Sequence, residues 1–548
     1  MKRYGRFLIG LFLILPAVSP AGGQTFPTPQ YFEQLMSRSE VSSQLGGPEG
    51  LRDYLVEGKL RLALADSIRL ALLNNTDVRL NQVPVEQARF AVQRAYQPFD
   101  PVATSNFNTT RSTQPTFTQL SGAPTLSSLS QGATIDYSQT FQTGTRYNVG
   151  FNASKLSTNT IFATFNPSIF SNLNFSVTQP LLRNRGSFPN RAPIVIAQRN
   201  LNQSRAIFES QINDSILQAV TEYWAVVQAR ETLEVLRKSQ EAAEASYNRD
   251  KRALELGALP PLDIYRSESE VATRRVAVIQ AEYVLKKAED LFRRAIGADL
   301  DPYFRALDLD LVEKAEPAGE LFVMDAQTAL ERALARRPEL EALRQQLANN
   351  ETSLRLAHNR LEPDLTLTGI YSASGLGGNQ LSTTGSQPPV LTRGGFGDAL
   401  GQVFGFGFPT YGFTAQLTLP IKNRAAQADL GSALVGRRHN LYLLRQAKQA
   451  ITQDVSDAVH QLEEAKLSMA AAKIARDLAQ KTLEAEERKH ELGTQPIFFV
   501  LQAQTQLAQA EASLVQAEIG YQLAATAVEH AAGTLLDRHQ IQIAELVR

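Results

Sequence analysis

Between Ile194 and Leu256 the chain has neither proline nor glycine and is built largely from Ala, Gln, Glu, Arg and Leu. A second stretch, Ile421 to Gln495, is proline-free. A helix of about 65 residues is roughly 100 Å long, several times the usual globular helix. The apolar positions keep coiled-coil spacing. Ile451, Val455, Ala458, Leu462, Ala465, Met469 and Ala472 step alternately by four and three, and Ile212, Ile216, Ala219, Tyr223 and Val226 lead past Arg230 to Leu233. Many seam positions are alanine, which lets neighbouring helices approach closely. On periodicity alone this is a coiled-coil rod.

The rod is one part of a duplicated chain. Ala71-Leu72 through Val78 to Pro101 runs parallel to Ala333-Leu334 through Leu340 to Pro363. Pro180 matches Pro420, and Ile212, Ile216, Ala219 and Tyr223 match Ile451, Val455, Ala458 and Leu462. Leu256-Gly257, Ile264, Ala288 and Gly297 match Leu492-Gly493, Val500, Ala524 and Gly533. Each copy therefore reads helix, β region, very long helix, tight turn, helix.

The β regions change the balance away from a plain rod. Val102 to Leu182 is rich in Ser, Thr, Asn and aromatics, and it alternates. Leu173, Phe175 and Val177 share one strand face and Asn174, Ser176 and Thr178 the other; Ile135 with Tyr137, and Tyr147, Val149 and Phe151, behave alike. In the second copy Leu365, Leu367 and Tyr371 alternate with threonines, as do Phe413, Ala415, Leu417 and Leu419 with Thr414, Gln416 and Thr418. Segments of about ten such residues are those of transmembrane barrel strands or of a sheet with one buried face. The stretches Ser112 to Gly132 and Ser372 to Tyr411 read as long loops. Two copies give about four strands, too few to close a barrel, and open edges are not viable in lipid. A membrane reading therefore requires several chains.

The N-terminus favours export. Lys2, Arg3 and Arg6 precede an apolar run from Phe7 to Leu15, then small residues up to Ala21 and Gly23, the layout of a cleaved signal peptide. No later stretch is apolar for the ~20 residues of a spanning helix, so any membrane crossing falls to strands. The chain has 55 basic and 55 acidic residues and no cysteine, which gives no sign of a nucleic-acid partner and excludes disulfides, thiolate metal sites and cysteine nucleophiles.

The duplicated Ala71-Leu72 and Ala333-Leu334 helices, Val177-Thr178-Gln179-Pro180-Leu181-Leu182, the turn Leu256-Gly257 with Asp263-Ile264, its copy Leu492-Gly493 with Val500-Leu501, and Gly297/Gly533 occur in an order specific as a set. With these residues the mature chain resembles the TolC-type outer-membrane efflux family along nearly its whole length. The resemblance implies a mainly α fold with a membrane β-barrel part: a trimer with a twelve-stranded barrel in the outer membrane above a twelve-helix periplasmic α-barrel. It further implies docking at the tip to a periplasmic adaptor (membrane fusion) protein and an inner-membrane efflux pump or ABC transporter, for drug efflux or type I secretion, with no cofactor and no enzymatic role.

The expected organisation is a signal peptide at 1–23, an N-terminal segment at 24–61, a helix at 62–100, strands and loops at 101–182 and a long helical hairpin at 183–300. A linker at 301–325 leads to the second copy, with its helix at 326–362, β region at 363–420 and hairpin at 421–548. The first β region exceeds the second by the size of one added hairpin, assigned to Ile135–Phe141 and Arg146–Ser154 around Thr143-Gly144. Its place, in the wall or beyond it, stays open and leaves the strand count open too.

Leu256, Gly257, Leu492 and Gly493 are the candidate docking tip, and Asp263, Phe498, Phe499 and Gln502 the candidate gate. Family members commonly place acidic residues there; here Phe498 and Phe499 would make an apolar ring, or else pack the helical turn. Glu487 and His490 form a Glu-x-x-His pair whose duplicate positions, Lys251 and Leu254, cannot complete a two-metal site. The five arginines 183, 185, 191, 199 and 205, where β region meets helix, read by default as a solvated face, with contact to lipid headgroups or a lining of the lumen as the alternatives. The alternatives are a periplasmic coiled-coil adaptor, against which the duplication and strands argue, and a structural coiled coil, which needs no paired turns.

Overall fold

The computed structural model describes residues 47–116, 124–256, 261–317, 319–382, 389–492 and 494–539. The signal peptide, Gly257, Gly493 and the side chain of Asp263 lie outside the described residues. From Pro48 onward the chain forms one unit.

Each copy begins with a broken helix rather than the single one expected. In the first, α1 (Leu64–Asn74) and α2 (Thr76–Arg94) are separated by Asn75, an extended residue whose side chain caps α2 by accepting from the Asp77 N–H. In the second, Arg337 is extended before Pro338, so α5 (Ala326–Arg336) stops and α6 (Pro338–Leu361) starts afresh. The long helices are α3 (Ser187–Glu255), 69 residues, and α8 (Arg424–Glu491), 68 residues. α3 starts earlier than Ile194 and takes Pro193 inside it. The return helices α4 (Pro261–Ala295) and α9 (Ile497–Ala531) have 35 residues each.

The long helices run through two tiers. Near the sheet, α2 packs on α3, and α6 packs on both α3 and α8. In the other tier the order is α4–α3–α9–α8. The expected seam is the core: Ile212, Ile216, Tyr223 and Val226 are buried in the first copy, and Ile451, Val455, Ala458 and Leu462 in the second.

Where the tiers meet, the end of the N-terminal segment and the linker build a small sheet that the sequence reading lacked. β1 (Leu55–Val56) and β2 (Lys59–Leu62) form a hairpin, and β7 (Asp308–Leu311) joins β2 in parallel. Tyr223 pins this sheet to α3 by donating to the carboxylate of Glu313, while Arg230 donates to the Leu311 carbonyl at 3.1 Å. Burial and that bond hold the Tyr223 hydroxyl well above the ordinary tyrosine range, so it stays a donor.

The β regions of both copies merge into one antiparallel sheet. β3 (Val102–Pro115), β4 (Thr125–Thr140), β5 (Arg146–Thr158) and β6 (Phe165–Pro180) come from the first copy, and β8 (Asp364–Leu381), β9 (Val390–Thr392) and β10 (Phe408–Thr418) from the second. The order is β10-β8-β6-β5-β4-β3, with the short β9 on the far end of β8. The added hairpin is β4–β5, turning at Gly144 (φ 87°) as its spacing implied, and it stands inside the sheet between β3 and β6. Among the described residues the sheet has six long strands, where the resemblance implies four per chain and the added hairpin left the count open. The expected loops shrink accordingly: β3 runs to Pro115 and β4 starts at Thr125, while β8 reaches Leu381 and a helix, α7 (Phe396–Phe404), occupies part of the second loop.

Candidate functional site

Three regions make up the candidate site: the sheet, its junction with the helices, and the hairpin tips. The registers sort the sheet into two faces. Tyr137, Val149, Phe175 and Tyr371 stand opposite one another in one row, Ile135, Phe151 and Leu173 in the next, and Leu365 opposes Leu417 on the same side. The other side carries Asn106, Thr134, Asn152, Asn172 and Ser374 in one row and Asp136, Asn174 and Ser372 beside it. These polar side chains bond across strands, as Asn172 Nδ2 does to Ser374 Oγ at 2.9 Å and Thr178 to Thr368 at 3.0 Å. Away from α7 the apolar face is largely uncovered: Phe413 is 80% exposed, Tyr411 78% and Phe107 67%. The sheet is thus amphipathic, with its apolar side open. The alternation assigned from sequence lies on these faces.

At the junction the two copies exchange backbone bonds, Leu181 N–H to the Leu365 carbonyl and Arg183 N–H to the Pro363 carbonyl. Arg183 also pairs with Asp364 at 2.5 Å, and Arg199 donates to the Ala348 carbonyl and to Thr352 Oγ1. Two of the five arginines therefore fasten one copy to the other instead of serving only as a solvated face.

The tips repeat one geometry. α3 and α8 end with Leu256 N–H on the Arg252 carbonyl and Leu492 N–H on the Arg488 carbonyl, both 3.1 Å. The two leucines then stand 84% and 79% exposed, a matched apolar pair that the local chain does not cover. His490 Nδ1 bonds the Gln495 carbonyl at 3.0 Å, which puts the imidazole to work in the turn. Just beyond, Ile497, Val500 and Leu501 bury against Leu483 and turn Phe498 and Phe499 outward, 45% and 41% exposed, edge to face at 5.4 Å. Gln502 is exposed. Arg266 of the first copy lies over the Phe498 ring at 5.4 Å, so a ring built from these residues carries a guanidinium as well as phenyl groups.

Arg274 is the residue that sequence reasoning missed. It is buried, pairs with Glu270 at 2.9 Å, and donates to the Ser239 carbonyl at 3.1 Å, the Leu501 carbonyl at 3.4 Å and Thr505 Oγ1 at 3.0 Å. One guanidinium thus ties α3 and α4 of the first copy to α9 of the second. Seven residues earlier on the same seam, buried Ser267 donates to Asp250 at 2.5 Å. The signal available was a heptad step from Ser267 to Arg274, polar at seam positions.

Residues 329–534 match the family model described as outer membrane efflux protein. The chain is 24% identical over 363 residues to the outer membrane efflux protein BepC of Brucella suis biovar 1 (strain 1330), covering 65% of this chain and 72% of that one. Its fold is that of the Campylobacter jejuni CmeC outer membrane channel, with a TM-score of 0.60 at 15% identity, spanning 94% of this chain and 95% of that one. The open state of the Neisseria gonorrhoeae MtrE outer membrane channel is similar, with a TM-score of 0.57 at 18% identity, over 91% and 94% of the two chains.

Proposed function

We propose that this chain, whose residues 329–534 match the outer membrane efflux protein model, is an efflux protein of that kind and that three copies close into an outer-membrane export duct whose helical part crosses the periplasm. The observation that carries this reading is that, among the described residues, both layers are open arcs with two unpaired edges each. In the sheet the edges are β3 and β10, exposed along almost their whole lengths. Six alternating strands leave those edges running in opposite senses, so β10 of one copy can pair antiparallel with β3 of the next. In the helical tier the edges are α4 and α8, and both carry uncovered apolar stripes: Val276, Ile279 and Tyr283 on one, Leu467, Ile474 and Leu478 on the other. These are knobs without holes until a neighbour supplies them.

The widths also agree. Six strands about 4.8 Å apart and tilted about 40° span about 38 Å of wall, and four helices about 9 Å apart span about 36 Å. Three copies then give an eighteen-stranded barrel, apolar side to lipid and polar side to a water-filled lumen. The tips around Leu256, Gly257, Leu492 and Gly493 would meet a periplasmic adaptor coupled to an inner-membrane pump or ABC transporter. Phe498, Phe499 and Gln502, with Asp263, would line the resting constriction.

The test is conductance of the purified protein in planar bilayers together with export in cells. Wild-type protein should insert as discrete channels. Gly257→Trp with Gly493→Trp should leave insertion and conductance intact while abolishing export, because bulk at the turns blocks docking alone. Absence of channels from wild-type protein would refute the duct. Unchanged export by the double variant would move the docking tip elsewhere.

A further inference from the structure

We propose that α7 is a lipid-contacting collar: an interfacial helix clamped to the outside of the barrel wall, its free side sunk among acyl chains at the outer edge of the bilayer. This rests on the barrel reading above, and it assigns a surface that the repeat architecture does not require, since among the described residues α7 has no counterpart in the first copy.

The contact with the sheet is backbone on backbone. A Cβ at Gly375 would lie 2.0 Å from the Ala399 carbonyl oxygen, and one at Gly377 2.2 Å from that of Gly395. Only glycines let the helix descend this far. Ala399 and Val403, both next to Gly375, are fully buried, as are Ala373 and Ser171 of the sheet. Between the rows that β8 shares with β10 and with β9, Gln402 takes the place of a neighbouring strand. Its side chain accepts from the Leu376 N–H at 3.0 Å and donates to the Leu376 carbonyl at 2.9 Å.

The side on which α7 sits decides its surroundings. Gly375 and Gly377 oppose Ser171 and Ile169, in register with Ala373, Tyr371 and Leu365 along the apolar face, so α7 covers that face and leaves the polar one clear. Its own outward surface is also apolar. Phe396 and Phe404 are 40% and 62% exposed, and the single charge, Asp398, is turned back to accept from the Gly395 N–H at 2.7 Å. Phe406 follows, half exposed and packed on Tyr371 with ring centroids 6.1 Å apart.

Height gives the occupant. From the Leu365 row to the Ala373 row the tilted strands rise about 20 Å, close to the apolar band of roughly 25 Å in outer-membrane barrels. Gly375 and Gly377 lie just past it, at the end away from the helices. There aromatic side chains gather at the headgroup level, and amphipathic helices lie flat with their apolar side in the acyl region.

Tryptophan at three positions, in the full-length protein reconstituted into liposomes of phosphatidylcholine with brominated acyl chains, tests the assignment. The natural Trp224 is buried in the helical core, out of reach of lipid. Phe404→Trp should lose most of its emission to the brominated chains and little to aqueous iodide. Phe413→Trp, on the apolar sheet face, should do likewise, and Ile370→Trp, on the polar face, should show the reverse. Quenching of Phe404→Trp by iodide alone would place α7 in water and overturn the collar while Phe413→Trp still upholds the barrel. Protection from both quenchers would mean that another protein copy covers α7, which also overturns it. If Phe413→Trp escapes the brominated lipid, the barrel reading fails, and the collar with it.

Discussion

Arg274→Ala is expected to raise the conductance of the resting channel strongly. The guanidinium sits 8% exposed among acceptors contributed by both copies of the repeat, and its removal leaves Glu270, the Leu501 carbonyl and Thr505 without their cation. Breaking a buried charged contact of this kind costs about 3 kcal/mol, which shifts a closed-to-open equilibrium about 100-fold. The cost falls on the state in which the hairpin α3–α4 is held against α9. If the proposed duct opens by parting those hairpins, the closed state loses most. Arg274→Lys should be intermediate, since a lysine keeps the charge but has one nitrogen for acceptors spread over three helices. Single-channel recording reads the effect, with Phe498→Ser and Phe499→Ser recorded beside it. A leak from the serine variants at Arg274 wild type would assign the barrier to the phenyl ring, and a leak confined to Arg274→Ala would assign it to the latch. Closed-state currents unchanged in Arg274→Ala would remove this residue from the gating account.

Excising β4 and β5, residues 125–158, should leave a functional but narrower channel. The rows make this possible. Ala103 opposes Tyr137, Tyr137 opposes Val149, and Val149 opposes Phe175, so β3 can pair with β6 after removal of the hairpin with Ala103, Phe107, Leu173 and Phe175 still on one face. Strand alternation is also preserved, because two strands leave together. An eighteen-stranded barrel has a backbone radius of about 18 Å and a twelve-stranded one about 12 Å, so open-state conductance should fall about twofold. Unaltered conductance would mean that the wall is not what limits current. A chain that no longer inserts would show that the hairpin is needed for assembly.

The parts read correctly from sequence are those fixed by local periodicity. The proline-free runs became α3 and α8, the seam from Ile212 to Val226 became buried core, and the alternation around Phe175 and Phe413 sorted onto one face. The added hairpin was also visible, but its place was not, because a strand pair with one apolar face pairs equally well inside a wall or beyond it. Residue spacing carries no information on that choice; the registers on both sides of β4–β5 do. α7 escaped notice for a different reason. It is nine residues long with glycines at 397 and 401, a poor helix by propensity, and it is held by docking on Gly375 and Gly377 and by the Gln402 bonds to Leu376. Arg274 was not singled out from sequence, since its surroundings include Leu501 and Thr505, more than 200 residues away in sequence. The broken leading helices followed ordinary rules, an Asn cap and a residue before proline, that a search for long periodic runs passes over.

The central claim is that six strands from each of three chains make one closed wall. Electron cryomicroscopy of the protein extracted from outer membranes, viewed in section across the barrel, tests it most directly. The account predicts a three-fold particle with eighteen strands in the section, β10 of each chain hydrogen-bonded to β3 of the next, and α7 on the outside. A ring of twelve strands with residues 125–158 folded away from the wall, or a particle of a single chain with β3 and β10 unpaired, would contradict it.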